Sequence, residues 1–206
     1  MKKLFSVVLF FIFSIGFISC TKEEVSETTV KPSNILDLKI VEDPSVNRDV
    51  RAKLENFNLR TAAGVSFDYN TLFEARLDEN SPKAYVYNQI GFNEMNAINY
   101  GVALGVKDNN DLSDPIITKT ERVGNGLFQI SYYDTDGNLI AAVEVDSINE
   151  TLNVAQVGGN WGQNTMDCIN DVYSNHGWVS VWAFVQSAFI PATAGAFAAA
   201  CAIKNW

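Results

Sequence analysis

The residues of this chain with the most chemical potential are its three cysteines, Cys20, Cys168 and Cys201, and its single histidine, His176. Cys168, Asp171 and His176 fall within nine positions, in the order of a thiol nucleophile, a carboxylate and a base. Cysteine nucleophiles usually meet a histidine brought from elsewhere in the fold, so a capping or otherwise satisfied His176 is the expected reading. Two acidic stretches raise a second chemistry, cation binding. Asp134-x-Asp136-Gly137 starts like a calcium loop, but Val145 stands at the twelfth position, where a bidentate glutamate is needed. An Asp-Gly hairpin turn is the expected outcome there. Asp108, Asp111 and Asp114 read as a solvated loop. The sequence contains no nucleophile elbow, phosphate loop, paired-histidine helix or dinucleotide motif. No catalytic residue, metal ligand or cofactor is therefore assigned, and the chain is not read as an enzyme.

The elements that position the thiols are best approached through composition. The chain has 206 residues, 47% of them hydrophobic, with 15 Lys plus Arg against 24 Asp plus Glu and a formal charge of -9. That balance suits a globular protein and leaves no basic surface for phosphates, so nucleic acid is not an expected partner. The beginning is different in kind. Lys2 and Lys3 precede an apolar run from Leu4 to Ile18, shorter than the ~20 helical residues a permanent span needs, which makes it the core of a signal peptide. An uncleaved anchor is the alternative.

Phe17-Ile18-Ser19-Cys20 resembles the lipobox of bacterial lipoproteins, in which the cysteine sulfur receives a diacylglycerol. The resemblance implies cleavage before Cys20 and lipid attachment at it. Lys22-Glu23-Glu24 resembles the surface-export signal of lipoproteins in one Gram-negative phylum. Together these imply a lipid-anchored cell-envelope protein of the outer membrane, exposed at the surface and held to membrane lipid through acylated Cys20. Loss of residues 1–19 removes two lysines and no acid, leaving 13 cations against 24 acids and a charge of -11. Residues 20–34 are polar, contain Pro32 and read as a flexible lipidated tether.

Residues 35–156 read as one α+β domain. Asp43-Pro44 starts a helix through Leu54, with Val46, Val50 and Leu54 at a spacing of four. Between Pro82 and Val106 apolar and aromatic residues are dense, and the period does not separate helix from strand. Segments 116–123, 127–133, 138–145 and 151–156, divided by Gly124-Asn125-Gly126 and Asp134–Gly137, predict a four-stranded antiparallel meander. Gly158-Gly159, within 157–160, reads as a linker.

The segment 161–206 changes character. It holds Trp161, Trp178, Trp182 and Trp206, the chain's full set of tryptophans, and 178–203 carries no charge. As one helix it would measure about 39 Å, but Pro191 divides it into helices over 178–190 and 192–203. The first places Trp178, Val181, Trp182, Val185 and Phe189 on one face, suited to a core or to a membrane surface. The second offers Ala192, Gly195, Ala196 and Ala199 as a smooth side for another helix. A further helix over 164–174 carries Cys168. With Cys20 acylated, Cys168 and Cys201 remain, and outside the cytoplasm they most simply pair; two buried free thiols are the alternative. The predicted fold is thus α+β: an N-terminal helix plus an antiparallel β-meander, followed by a disulfide-linked hydrophobic α-helical hairpin.

A secretion signal, an acidic folded middle and a hydrophobic C-terminal segment with two cysteines resemble precursors of membrane-active peptides, among them bacteriocins and the sporulation-delaying toxin class. Val157-Gly158-Gly159 is similar to the double glycine at which bacteriocin leaders are cut. The resemblance covers 160–206 and implies processing at Gly158 and Gly159, membrane contact through Trp178, Val181, Trp182, Val185, Phe189 and Trp206, and a target membrane or an immunity protein as partner. The competing expectation is a surface lipoprotein acting as a binding or structural module, with these helices as buried core.

Overall fold

The computed structural model describes residues 37–59, 62–76, 82–93, 95–149, 151–176 and 191–204. The chain divides into units Met1–Lys31 and Pro32–Trp206, and every described residue belongs to the second.

That unit is built on one antiparallel sheet of eight strands in sequential order: β1 (Asp37–Ile40), β2 (Phe73–Arg76), β3 (Ala84–Asn88), β4 (Ile98–Gly105), β5 (Ile116–Arg122), β6 (Leu127–Tyr133), β7 (Leu139–Asp146) and β8 (Thr151–Val157). The last four are the meander expected from 116–156, and β1 to β4 extend it. Because each strand pairs with the next, connections alternate between the two ends of the sheet. The β1–β2, β3–β4, β5–β6 and β7–β8 connections share one end, and those after β2, β4 and β6 share the other.

Helices lie on both faces, which explains why β3 and β4 showed no alternation. In β3, Ala84 and Val86 belong to one core while Tyr85 and Tyr87 belong to the other; in β4, Ala103 divides in the same way from Val102 and Leu104. A strand covered on both sides reads as a continuous apolar run.

On one face lies helix α1 (Pro44–Glu55). Asp43 caps it by accepting from the Ser45 backbone N–H at 2.8 Å, and Pro44 occupies its first turn. Val50 and Leu54 are buried against Tyr87, Val102, Leu104 and Ile117. The Tyr87 hydroxyl meets Asn47 of α1, and its ring packs edge-on against Tyr69 at 5.1 Å. On the other face lie α2 (Gly159–His176) and α3 (Pro191–Lys204), which pack on β7–β8 and on β2–β6 respectively.

At the β1 side of the sheet, Glu74 is 7% exposed and faces three cations: Lys39 at 3.1 Å, Arg76 at 3.5 Å and Lys83 at 3.7 Å. Burial pushes its carboxyl up, but Lys39, Lys83 and Arg76 together hold it below its ordinary value of 4.5. A group depressed in the folded state contributes stability above its unfolded value, and that contribution is lost as pH falls through the folded value. Thermal unfolding followed by circular dichroism should therefore show stability falling below about pH 4.5, with a shallower fall in Glu74→Gln. An equally steep acid limb in Glu74→Gln would remove Glu74 as a source.

Candidate functional site

The most specific feature of the molecule is the joint between the sheet and its C-terminal helices. Cys168 of α2 and Cys201 of α3 form a disulfide with Cα atoms 5.6 Å apart, and Cys201 is fully buried. The expected pairing is present. Asp171 lies on the exposed side of α2, and the bridged Cys168 is not a free nucleophile.

Helix α3 is held by close fit. Ala198, Ala199, Ala200, Cys201 and Ala202 are all between 0 and 3% exposed. The Ile203 Cδ1 atom lies 1.3 Å from the place a Cβ on Gly105 would occupy, so the isoleucine fills the space left by the missing side chain. A Cβ on Gly195 would stand 3.0 Å from Thr118 Oγ1 and 3.1 Å from Ala103 Cβ, which places Gly195 directly on β4 and β5. Of the smooth side expected to receive another helix, Gly195 and Ala199 thus lie against the sheet. Small residues let a helix backbone approach a pleated surface as readily as another helix.

Helix α2 begins five residues earlier than the expected 164–174, immediately after β8. Gly158 donates to the Ile140 carbonyl at 2.7 Å, and a Cβ on Gly158 would lie 1.8 Å from the Leu139 carbonyl oxygen. A Cβ on Gly162 would lie 2.1 Å from that of Ile140. The absence of side chains there brings the start of α2 against β7. Gly159, at φ +65°, turns the chain between strand and helix, and a Cβ there would meet no atom within 4 Å. The stretch expected as a linker is a tight strand-to-helix junction, and the sheet and the helices share one core through Met166, Ile169, Ala199, Ile130, Val143 and Ile140.

This layer is not wholly satisfied. The hydroxyls of Thr118, Thr120 and Tyr132 are buried on the α3 side without a hydrogen-bond partner. Thr118 and Tyr132 face each other across β5 and β6. An unpaired buried hydroxyl costs on the order of 1 to 3 kcal/mol, whereas its removal without change of shape is neutral or stabilising. Tyr132→Phe is expected to raise the melting temperature by a few degrees or leave it unchanged, measured by differential scanning calorimetry. A drop would reveal a partner for that hydroxyl.

The acidic loops lie together at the sheet end carrying the β4–β5 and β6–β7 connections. They border a concavity of about 220 Å³ lined by Ser113, Asp114, Asp134, Asp136, Ala202 and Ile203, among others. Two of its carboxylates are engaged locally. Asp134 accepts from the Asn138 backbone N–H and side-chain amide, both at 2.8 Å, closing the turn with Gly137 at φ +87°. Asp114 faces Lys53 at 3.8 Å. Among the described residues, no group of three His, Cys, Asp or Glu is placed to hold a metal ion.

Cys20, Trp178, Val181, Trp182, Val185, Phe189 and Trp206 lie outside the described residues. No helix among the described residues is long and apolar enough to cross a membrane. Comparison with protein-family models, with curated proteins and with solved structures finds no match to this chain.

Proposed function

We propose that this is a lipid-anchored, surface-exposed envelope protein whose folded part is a binding or structural module, and that its C-terminal helices are a layer of that module's core. One observation carries the choice between core and released peptide: residues 198–202 of α3 are buried against the sheet and disulfide-linked to α2 through Cys201. Supporting it, the Gly158 backbone is packed on Leu139 and hydrogen-bonded to Ile140, so cleavage at Gly158-Gly159 would require this junction to open. The envelope location rests on Cys20 and its lipobox-like context, with a disulfide that suits an oxidising compartment.

Proteolysis of the oxidised, mature chain tests this reading. Between Arg122 and Lys204 the sequence has no Lys or Arg, so proteinase K rather than trypsin is the reagent. Removal of the 20–34 tether with residues 159–204 still attached to the sheet is the expected result by intact-mass analysis. Early scission at Gly158-Gly159, with dye release from liposomes by the freed segment, would instead establish a membrane-active peptide.

That second reading has one observation in its favour. The unpaired hydroxyls of Thr118, Thr120 and Tyr132 weaken the contact between the sheet and the helical layer, as a cradle for a releasable disulfide-linked hairpin would require. Membrane contact through Trp178, Trp182 and Trp206, and a target membrane or immunity protein as partner, belong to this reading alone.

A further inference from the structure

The large exposed hydrophobic residues are unevenly distributed. Ile90 and Met95 are 64% and 78% exposed on the β3–β4 turn, Ile98 begins β4, Val123 is on the β5–β6 turn and Ile148 on the β7–β8 turn. These three connections share one end of the sheet. At about 4.8 Å per strand they lie in a row some 20 Å long. The row is continuous: Arg122 donates its backbone N–H to Ala97 O at 2.9 Å, and Ser147 donates its own to Gly126 O at 2.8 Å.

These apolar tips are held in place by polar groups. Asn93 Oδ1 accepts from the Met95 backbone N–H at 2.8 Å, and Asp146 Oδ1 accepts from that of Ile148 at 2.9 Å, so each tip follows an Asx turn by two residues. Behind Ile90 and Met95, Asn99 accepts from Gln89 and Asn96 and donates to Asn93 O, while Gln89 accepts from the Tyr100 backbone N–H. A turn so braced loses little conformational freedom on meeting a partner.

A groove of about 510 Å³ adjoins the row, bordered by Asp68, Asn88, Ile90 and Phe92 among other residues. Asp68 brings a carboxylate to it, with one oxygen accepting from the Asn70 backbone N–H at 3.0 Å. In sequence the three turns add Glu94, Asp146 and Glu150 against Arg122. Acidic surroundings disfavour both an anionic bilayer and a second copy of this acidic chain, and they favour a basic partner.

We propose that this end of the sheet is a docking surface for a protein segment that presents a lysine or arginine between apolar residues. The apolar residues rest on Ile90, Met95 and Ile148, and the basic head reaches Asp68 with its stem along Ile90 and Phe92. Strand β1 begins, at Asp37, at the opposite end of the sheet. The proposal rests on the module reading, which proteolysis tests separately from the binding measured here.

The probe is a fluorescein-labelled amphipathic helical peptide of leucine and lysine, titrated by anisotropy with the oxidised mature chain; a leucine–glutamate peptide is the charge-reversed control. Saturable binding of the lysine peptide alone is expected, weakened at least tenfold in Ile90→Ser/Met95→Ser and severalfold in Asp68→Asn. Asparagine keeps the acceptor oxygen of the Asx turn at 68, and circular dichroism confirms folding of each variant. Ile148→Ser supplies an independent variant on another turn, expected to weaken binding as well. Asp136→Asn, at the other end of the sheet, should leave binding unchanged. Absence of binding, equal loss in Asp136→Asn, or no change in either rim variant would overturn the proposal. So would rim-dependent binding to phosphatidylcholine vesicles, with or without phosphatidylglycerol, since that would make the occupant a membrane.

Discussion

Replacing Cys168 and Cys201 together by serine should lower the unfolding free energy by about 3 to 4 kcal/mol, the chain-entropy value for a closed loop of this length. The loop spans a sequence separation of 33 residues and contains the end of α2 and most of α3, so the unfolded chain gains substantial freedom when it opens. The effect has a spatial signature. The bridge joins α2, which packs on β7 and β8, to α3, which packs on β2 to β6. Hydrogen exchange should rise first in α2 and α3, while β5 and β6 keep the protection of their sheet partners on both sides. Denaturant titration of the oxidised, reduced and double-serine forms measures the loss. A reduced form as stable as the oxidised one would mean that packing at Gly105 and Gly195 suffices to hold the layer.

The second large effect separates two adjacent glycines. Gly158→Ala places a methyl 1.8 Å from the Leu139 carbonyl oxygen, an overlap that backbone must move to relieve, and should cost about 3 kcal/mol or more. Gly159→Ala meets no atom and bears only the strain of φ +65°, about 1 to 2 kcal/mol. If the pair were an unpacked linker, neither substitution would matter. Parallel denaturation curves decide it: equal midpoints for the two variants would contradict the packed junction.

Much of this architecture was legible from local signals. Asp43-Pro44 with Val46, Val50 and Leu54 marked α1 to within a residue of its observed end, and Gly124-Asn125-Gly126 and Asp134–Gly137 marked the turns of the β5–β8 meander. The cysteine pair was expected on the premise that Cys20 is acylated and the chain lies outside the cytoplasm. Strands β3 and β4 were not, because helices on both sheet faces erase the alternation that identifies a half-buried strand. The role of Gly158 was hidden for another reason: a glycine that admits a neighbouring carbonyl looks the same in sequence as one that bends freely. The fit of Ile203 over Gly105 joins positions far apart in the chain, which no local pattern records. Ile90 and Met95 fell within the dense apolar stretch between Pro82 and Val106, which reads as core material although both are exposed, and Ile148 drew no notice, since only sequential strand order brings those turns to one end. The tryptophan face at Trp178 and Trp182 and the lipidation candidate Cys20 fall outside the described residues.

Sequential strand order also sets a timetable for folding. From β3 onward each strand can pair with the one before it across a short loop as the chain emerges, whereas β1 and β2 close over the longer connection that holds α1. Helix α3, by contrast, follows every strand and covers β2 to β6. Until it docks, one face of a nearly complete sheet, with Val86, Ala103, Ile116 and Ile130, stands open to water. The nascent protein is therefore most vulnerable to aggregation late in folding, and formation of the Cys168–Cys201 bridge marks the moment at which that face has been closed.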